Sequence, residues 1–446
     1  MTVRKRNIFH LCIQITVLAV LASLYGLSLY AEPPAYWESI AIGALFSVLF
    51  GAGCIRLVPS LTSVLIGEEE AHLMREGERT FRRCGTRELL KLFLIVLAVR
   101  LLEFPLTYLV HYRLFGYTGM FFEVQRLWLD LYHVETAFPL YDWLSNVFWI
   151  ITGNFNHARF IGSYVFTSLA VVALYYLVQQ DFDRKTARRS VRYFLLMPFS
   201  FALMGTVPDG LFLLLSILCL LFIRKKQIAA ANLFAMLAVM THALGLLLIV
   251  PILMSFLSDL IHGIRSGREI GKAGFLKKTL EALTILLIPI GAGLVMLYAN
   301  ARFGDAFSLY RHALGTSGVG ISGLFRFTDA GLQLSQTVDP NPLPVLLSAY
   351  LPQLLYLTFA LVMIILACGK LSTPSVLLMI AAIVATVATG WVSAAARIVT
   401  MIAPFVITLA VRVKNRWADA AVTVLLFMGW LAYFYAFIAG YTGGVV

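Results

Sequence analysis

Apolar stretches of membrane length alternate with short polar, basic loops from Ile8 to Tyr441. A spanning helix needs about 20 mostly apolar residues. The runs are continuous, as in residues 282–298, which predicts helices and not barrel strands that would face in and out by turns. Spans are expected over residues 8–30, 39–58, 91–111, 161–178, 282–298, 345–368, 376–391, 398–411 and 418–439. Residues 59–90 are polar and of mixed charge, and read as an amphipathic helix on the inner surface. Residues 112–140 and 300–344 form two long outer loops, the second rich in Gly, Ser and Pro with little helical periodicity. Residues 141–151, with Trp143 and Trp149, read as a helix in the outer interface. Residues 181–192 read as an inner loop. Two hairpins follow, turning at Pro208-Asp209-Gly210 and at Thr241-His242. Most of their helices are shorter than a full crossing, the pattern of turns sunk below the surface around a cavity.

This pattern gives an all-α, polytopic integral membrane protein of about thirteen spans with the N-terminus inside and the C-terminus outside. Residues 1–90 hold two N-terminal spans and the cytoplasmic amphipathic segment, 91–411 a core, and 412–446 a last span. Polar residues capable of chemistry collect on the outer side, so a reaction chamber would open outward. The short loops suggest a bacterial plasma membrane.

Composition sharpens this picture. The chain is 60% hydrophobic and only 13% charged, with a mean hydropathy of +0.85. No water-soluble core needs so much apolar surface. The net charge of +12 would suit a nucleic-acid binder. Its distribution argues otherwise, because the basic residues sit in short loops such as Arg184 to Arg192 and Arg224-Lys225-Lys226, where topology rules place them. Of the five cysteines, four lie in apolar runs and Cys84 in a basic loop. None sits at metal-ligand spacing, and a disulfide framework is not expected. The basic start and first apolar run lack a small-residue cleavage site and read as a retained helix.

Arg100 and Glu103 stand close together within the third apolar run. Charges inside a membrane are expensive and are usually paired. The first outer loop carries Glu123, Arg126, Trp128, Asp130, His133 and Glu135. A carboxylate at the membrane edge beside aromatics can act as a general base once partial burial raises its pKa; the alternative is a solvated loop aspartate. Asp209 sits at a hairpin tip, where Pro-Asp-Gly is also an ordinary turn sequence. Arg302, Arg311, His312 and Arg326 lie in the second outer loop, and Arg397 opens a late span from the outer side. An arginine there runs against the positive-inside bias, which favours a bound anion, although pairing with an acid or a lipid headgroup stays open. The outer carboxylates are capable of holding a divalent cation, but no ligand spacing supports a metal site.

Several of these pieces fall in a familiar order: an Asp in the first outer loop, AFPLY at residues 137–141, and MPFSF…PDGLFLLLS at 197–216. THALGLLLIVP at 241–251, ARFGDAFSLYR at 301–311 and AARIVTMIAPF at 395–405 complete it. The ordered series resembles the PIG-V-like mannosyltransferases, membrane glycosyltransferases of the GT-C superfamily. The resemblance covers residues 101–411. It implies a GT-C-like fold, a polyprenyl-phosphate-linked sugar as donor, and a lipid or glycan hydroxyl as acceptor on the outer face. It assigns Asp130 as the catalytic base and matches the acidic residue of the first hairpin tip at Asp209, while Glu123, His133 and Glu135 in the first outer loop are candidate supporting residues. A departing phosphate needs cationic donors, and Arg397, His242 and Arg302 are the candidates. In this series His242 stands where an Arg is common, and Asp142 where a Pro is common.

Two other classes fit the same pattern. A transporter or lipid flippase would explain intramembrane charge and Gly/Pro-broken helices, but no internal repeat relates the two halves. A non-catalytic scaffold on the same fold would explain the looser spacing around Asp130.

Overall fold

The computed structural model describes residues 3–66, 85–115, 138–205, 207–265, 279–314, 320–336, 342–389 and 391–439. Each described element is a helix. Seven are long and apolar enough to cross a membrane: His10–Ala31, Trp37–Thr62, Phe155–Asp181, Ala243–Ile261, Thr279–Phe303, Pro342–Ala367 and Arg416–Ile438. They fit an integral membrane protein. The remaining expected spans are shorter or broken. Asp209–Arg224 has 16 residues, Ile228–Val239 has 12 and Thr373–Ala388 has 16. The span expected over residues 398–411 is a pair, Trp391–Met401 and Ala403–Arg412, bent by 60°. Ile402 turns extended there, with Pro404 in the first turn of the second helix. A proline tolerates that position but not a helix interior.

The chain divides into two compact units: Met1–Thr80 with Val250–Ala282 and Leu314–Val399, and Phe81–Ile249 with Leu283–Ala313 and Thr400–Val446. In the first, helices Val3–Ala31 and Trp37–Ile66 form an antiparallel hairpin. The second of these runs through Pro59, beyond the expected end at residue 58. The turn between them is held by helix Ser322–Gln336. Asp329 accepts from Ala35 N at 2.7 Å and from Ser39 Oγ at 2.5 Å, and Arg326 pairs with Glu32 at 3.1 Å. That helix corrects the expectation of an irregular second loop. Its buried positions Leu324, Phe325, Thr328 and Gly331 recur at helical spacing, so the glycine is a contact residue, not a breaker. A Cβ on Gly331 would come within 2.7 Å of the Tyr350 ring.

The second unit is built around helix Phe155–Asp181, buried on several faces. Helices Thr86–Leu101, Pro139–Thr152, Arg184–Leu196 and Asp209–Arg224 pack on it. Residues 181–192 were expected as an inner loop, but from Arg184 they belong to helix Arg184–Leu196. Asp183 caps it by accepting from Thr186 N at 3.1 Å, and Ala187, Ser190, Val191 and Phe194 bury one face. One end of the unit carries the basic side chains with acidic partners. Arg184 and the Tyr175 hydroxyl bond Glu88, Arg224 bonds Asp181, and Arg189 and Arg192 meet Asp419. The Arg184 guanidinium, then Tyr175, hold the Glu88 carboxyl below its usual range. The opposite end holds the recessed turns.

Candidate functional site

At the far end of the second unit the Asn154 side chain caps the central helix, accepting from Asn156 N at 2.9 Å and His157 N at 3.3 Å. The Pro208-Asp209 turn meets this helix lower down. Gly210 lies so close to Thr167 that a Cβ would fall 2.1 Å from its Oγ1 and 3.1 Å from its backbone N. Thr167 is about 18 Å along the helix from Phe155, so the turn is recessed. Asp209 opens its helix at only 1% exposure. A carboxylate suits the positive end of a helix. The turn expected from Pro-Asp-Gly is therefore present, but its aspartate is buried and not at a solvated tip.

Around this turn three further segments assemble. Leu140 N donates to Met240 O at 3.1 Å, tying the start of helix Pro139–Thr152 to the Thr241-His242 turn. The Tyr141 hydroxyl lies between Arg159 O at 2.7 Å and Ser163 Oγ at 2.6 Å, and Ser163 Oγ reaches Val207 O at 3.1 Å. Burial pushes the Tyr141 hydroxyl pKa well up. The His242 ring stands 5.4 Å from Phe212, and Phe138 meets Tyr310 edge-on at 5.5 Å. Tyr310 is 6% exposed, and burial pushes its hydroxyl up to about 12.

His242 accepts from Leu244 N through Nδ1 at 3.1 Å, capping the short helix Ala243–Leu248. An accepting Nδ1 leaves Nε2–H as the ring's one donor. The turn is tight enough that a Cβ on Gly245 would fall 2.3 Å from Val239 N.

Sequence reasoning missed one pair. Arg159 Nε and Nη2 each donate to one oxygen of Asp142 at 2.9 Å, and Phe155 lies 4.1 Å beneath the guanidinium. Both partners are buried. The pair bolts helix Pro139–Thr152 to the central helix. Opposite charge on neighbouring helices was the only available signal, and one sequence does not pair residues across a turn. The PFSF segment proves structural: Phe199 and Phe201 enter an aromatic cluster with Trp430, Tyr433, Phe434 and Phe437.

The expected site residues divide as follows. Asp209 and His242 are brought to one end of the second unit. Arg302, near that end on helix Leu287–Phe303, is exposed, bonds the Tyr298 hydroxyl and lies over the Tyr298 and Phe303 rings. Its contacts stay on its own helix. Arg397 belongs to the first unit, in helix Ala395–Met401, where Gln353 Oε1 accepts from the neighbouring Ala396 N at 2.8 Å. Glu123, Asp130, His133 and Glu135 lie outside the described residues. Among the described residues no three His, Cys, Asp or Glu side chains stand together as metal ligands. No family model matches the chain, and no curated protein is significantly similar to it.

Proposed function

We propose that this protein is a mannosyltransferase-like membrane glycosyltransferase of the GT-C kind, with about thirteen spans, in a bacterial plasma membrane. It moves a sugar from a polyprenyl-phosphate donor to a lipid or glycan hydroxyl on the extracytoplasmic face. One observation carries the reading. Residues 138–141, 207–212, 240–245 and 310, which carry part of the resemblance, assemble at one recessed end of a single unit. In the sequence Asp130 precedes Phe138 by eight residues.

In this reading the Asp130 carboxylate takes the proton from the acceptor hydroxyl. The acceptor oxygen bonds the sugar's anomeric carbon as the bond from that carbon to the phosphate oxygen breaks. The electron pair leaves with the polyprenyl phosphate, towards which Arg302 and the His242 Nε2–H donate. Asp209, Glu123, His133 and Glu135 order the acceptor, and the outer carboxylates are available to a divalent cation. A lipid-borne donor enters sideways from the bilayer, which suits turns recessed below the ends of the long helices.

The test uses purified protein with a polyprenyl-phosphate sugar and lipid acceptors, scored for released polyprenyl phosphate. Asp130→Asn abolishes release, a loss of about 10³-fold or more, at unchanged expression. Release by Asp130→Asn at the wild-type rate removes the assignment of the base. No release by the wild-type protein with any donor removes the reading.

A further inference from the structure

Among the described residues two guanidinium groups of the second unit are fully buried, and they are satisfied unequally. Arg159 fills its Nε/Nη2 edge with both oxygens of Asp142. Arg100 is 0% exposed and commits only Nη1, to Glu103 Oε1 at 2.6 Å. Among the described residues its Nε and Nη2 have no hydrogen-bond partner, nor does Glu103 Oε2, nor the Tyr164 hydroxyl. Tyr164 is 2% exposed and within electrostatic reach of both charges. The helices carrying Arg100 and Tyr164 pack together, and Glu88 and Tyr175 on the same two helices are in contact. Arg100 and Tyr164 each lie about 17 Å along their helices from that contact, so they stand at one level. Ser163, beside Tyr164, reaches the carbonyl of Val207 just before Asp209. The unsatisfied cluster is thus level with the recessed turn of the candidate site.

Each buried polar atom without a partner costs stability, and charged ones cost most. The nearby hydroxyls do not answer this demand. Thr107 Oγ1 donates to Glu103 O and Ser168 Oγ to Tyr164 O. The open atoms are two parallel N–H donors, one carboxylate acceptor, and one hydroxyl able to do both. A guanidinium fork matches two oxygens set side by side. An oxyanion would fit the fork but would face the Glu103 oxygen and add a second buried negative charge. Two neighbouring hydroxyls accept from the fork, donate to Glu103, and bring no charge.

We propose that Arg100, Glu103 and Tyr164 form a binding site for a vicinal diol, the hydroxyl pair of a sugar ring. The diol chemistry follows from the donors and acceptors. Naming a lipid-borne sugar as its bearer rests on the glycosyltransferase reading. Arg100 and Glu103 are then sugar-recognising residues, and Tyr164 adds a hydrogen bond to the bound ring.

The test is the thermal shift of the purified full chain in nanodiscs, titrated with octyl α-mannoside below its micelle concentration. Octanol serves as the control lacking a diol, and inorganic phosphate as the anionic probe. Octyl α-mannoside raises the melting temperature and octanol does not. Tyr164→Phe removes a hydroxyl that has no hydrogen-bond partner among the described residues, so it melts no lower than wild type without ligand. It nevertheless weakens octyl mannoside about 5-fold. Glu103→Gln weakens it about 10-fold and Arg100→Lys at least as much. If Tyr164→Phe and Glu103→Gln bind octyl mannoside like wild type, or if the wild type responds equally to octanol, the site is not a diol site. A response to phosphate that Glu103→Gln strengthens makes it an oxyanion site and overturns the proposal. Sugar transfer without octyl mannoside binding overturns this inference alone. Binding without transfer overturns only the glycosyltransferase reading.

Discussion

Asp142 and Arg159 show how two charges are kept in an apolar interior. The carboxylate meets the guanidinium edge-on with two bonds of 2.9 Å, and the Phe155 ring covers the remaining face. Such a pair adds little against a well-packed apolar pair, but removing one member strands the other. Asp142→Asn therefore lowers stability by about 3 kcal/mol, whereas Asp142→Leu with Arg159→Met recovers most of the loss. Thermal unfolding in detergent checks both, and equal losses in the single and double variants would contradict this account. The residue types here were legible and their partners were not. Asp142 read as a departure from a proline-bearing pattern, and Arg159 passed unremarked at the edge of an apolar run. Arg100 and Glu103 were legible as a pair because they lie only three residues apart within one apolar run, although the expected span over residues 91–111 is broken at Leu102 into helices Thr86–Leu101 and Glu103–Phe115.

Among the elements, the turn that carries His242 is the most tightly determined. It folds back on the end of helix Ile228–Val239, with Gly245 against the backbone of Ala238 and Val239. Backbone atoms cannot swing aside as a flexible side chain can. Gly245→Ala therefore costs about 2 kcal/mol or more and displaces His242. The melting temperature falls accordingly, and a variant as stable as wild type would contradict the close packing. The existence of this turn was readable from Thr241-His242 between two apolar runs. Helices Arg184–Leu196 and Ser322–Gln336 were not readable in the same way. The first has so many arginines that charge masked its buried stripe of Ala187, Ser190, Val191 and Phe194. The second uses Gly and Ser as contact residues, and these are counted as breakers when no neighbour is in view.

Across the whole molecule, charge and hydropathy together set an orientation in the membrane. The second unit has arginines and lysines at one end and recessed turns at the other, joined by a central helix of 27 residues. Basic loops stay in the cytoplasm. In the proposed orientation Asn156, exposed near the capped end of the central helix, lies outside, and Gln227, exposed beside Arg224-Lys225-Lys226, lies inside. In a background with Cys12, Cys54, Cys84, Cys219 and Cys368 replaced, Asn156→Cys reacts with a membrane-impermeant maleimide added to intact cells. Gln227→Cys reacts only after permeabilisation. The reverse pattern would turn the recessed end toward the cytoplasm. Asp209 and His242 would then face the wrong side for a reaction on the extracytoplasmic face, whatever chemistry they perform. Labelling from outside at both positions would instead mean that the central helix does not cross, and that its length and hydropathy serve a buried core.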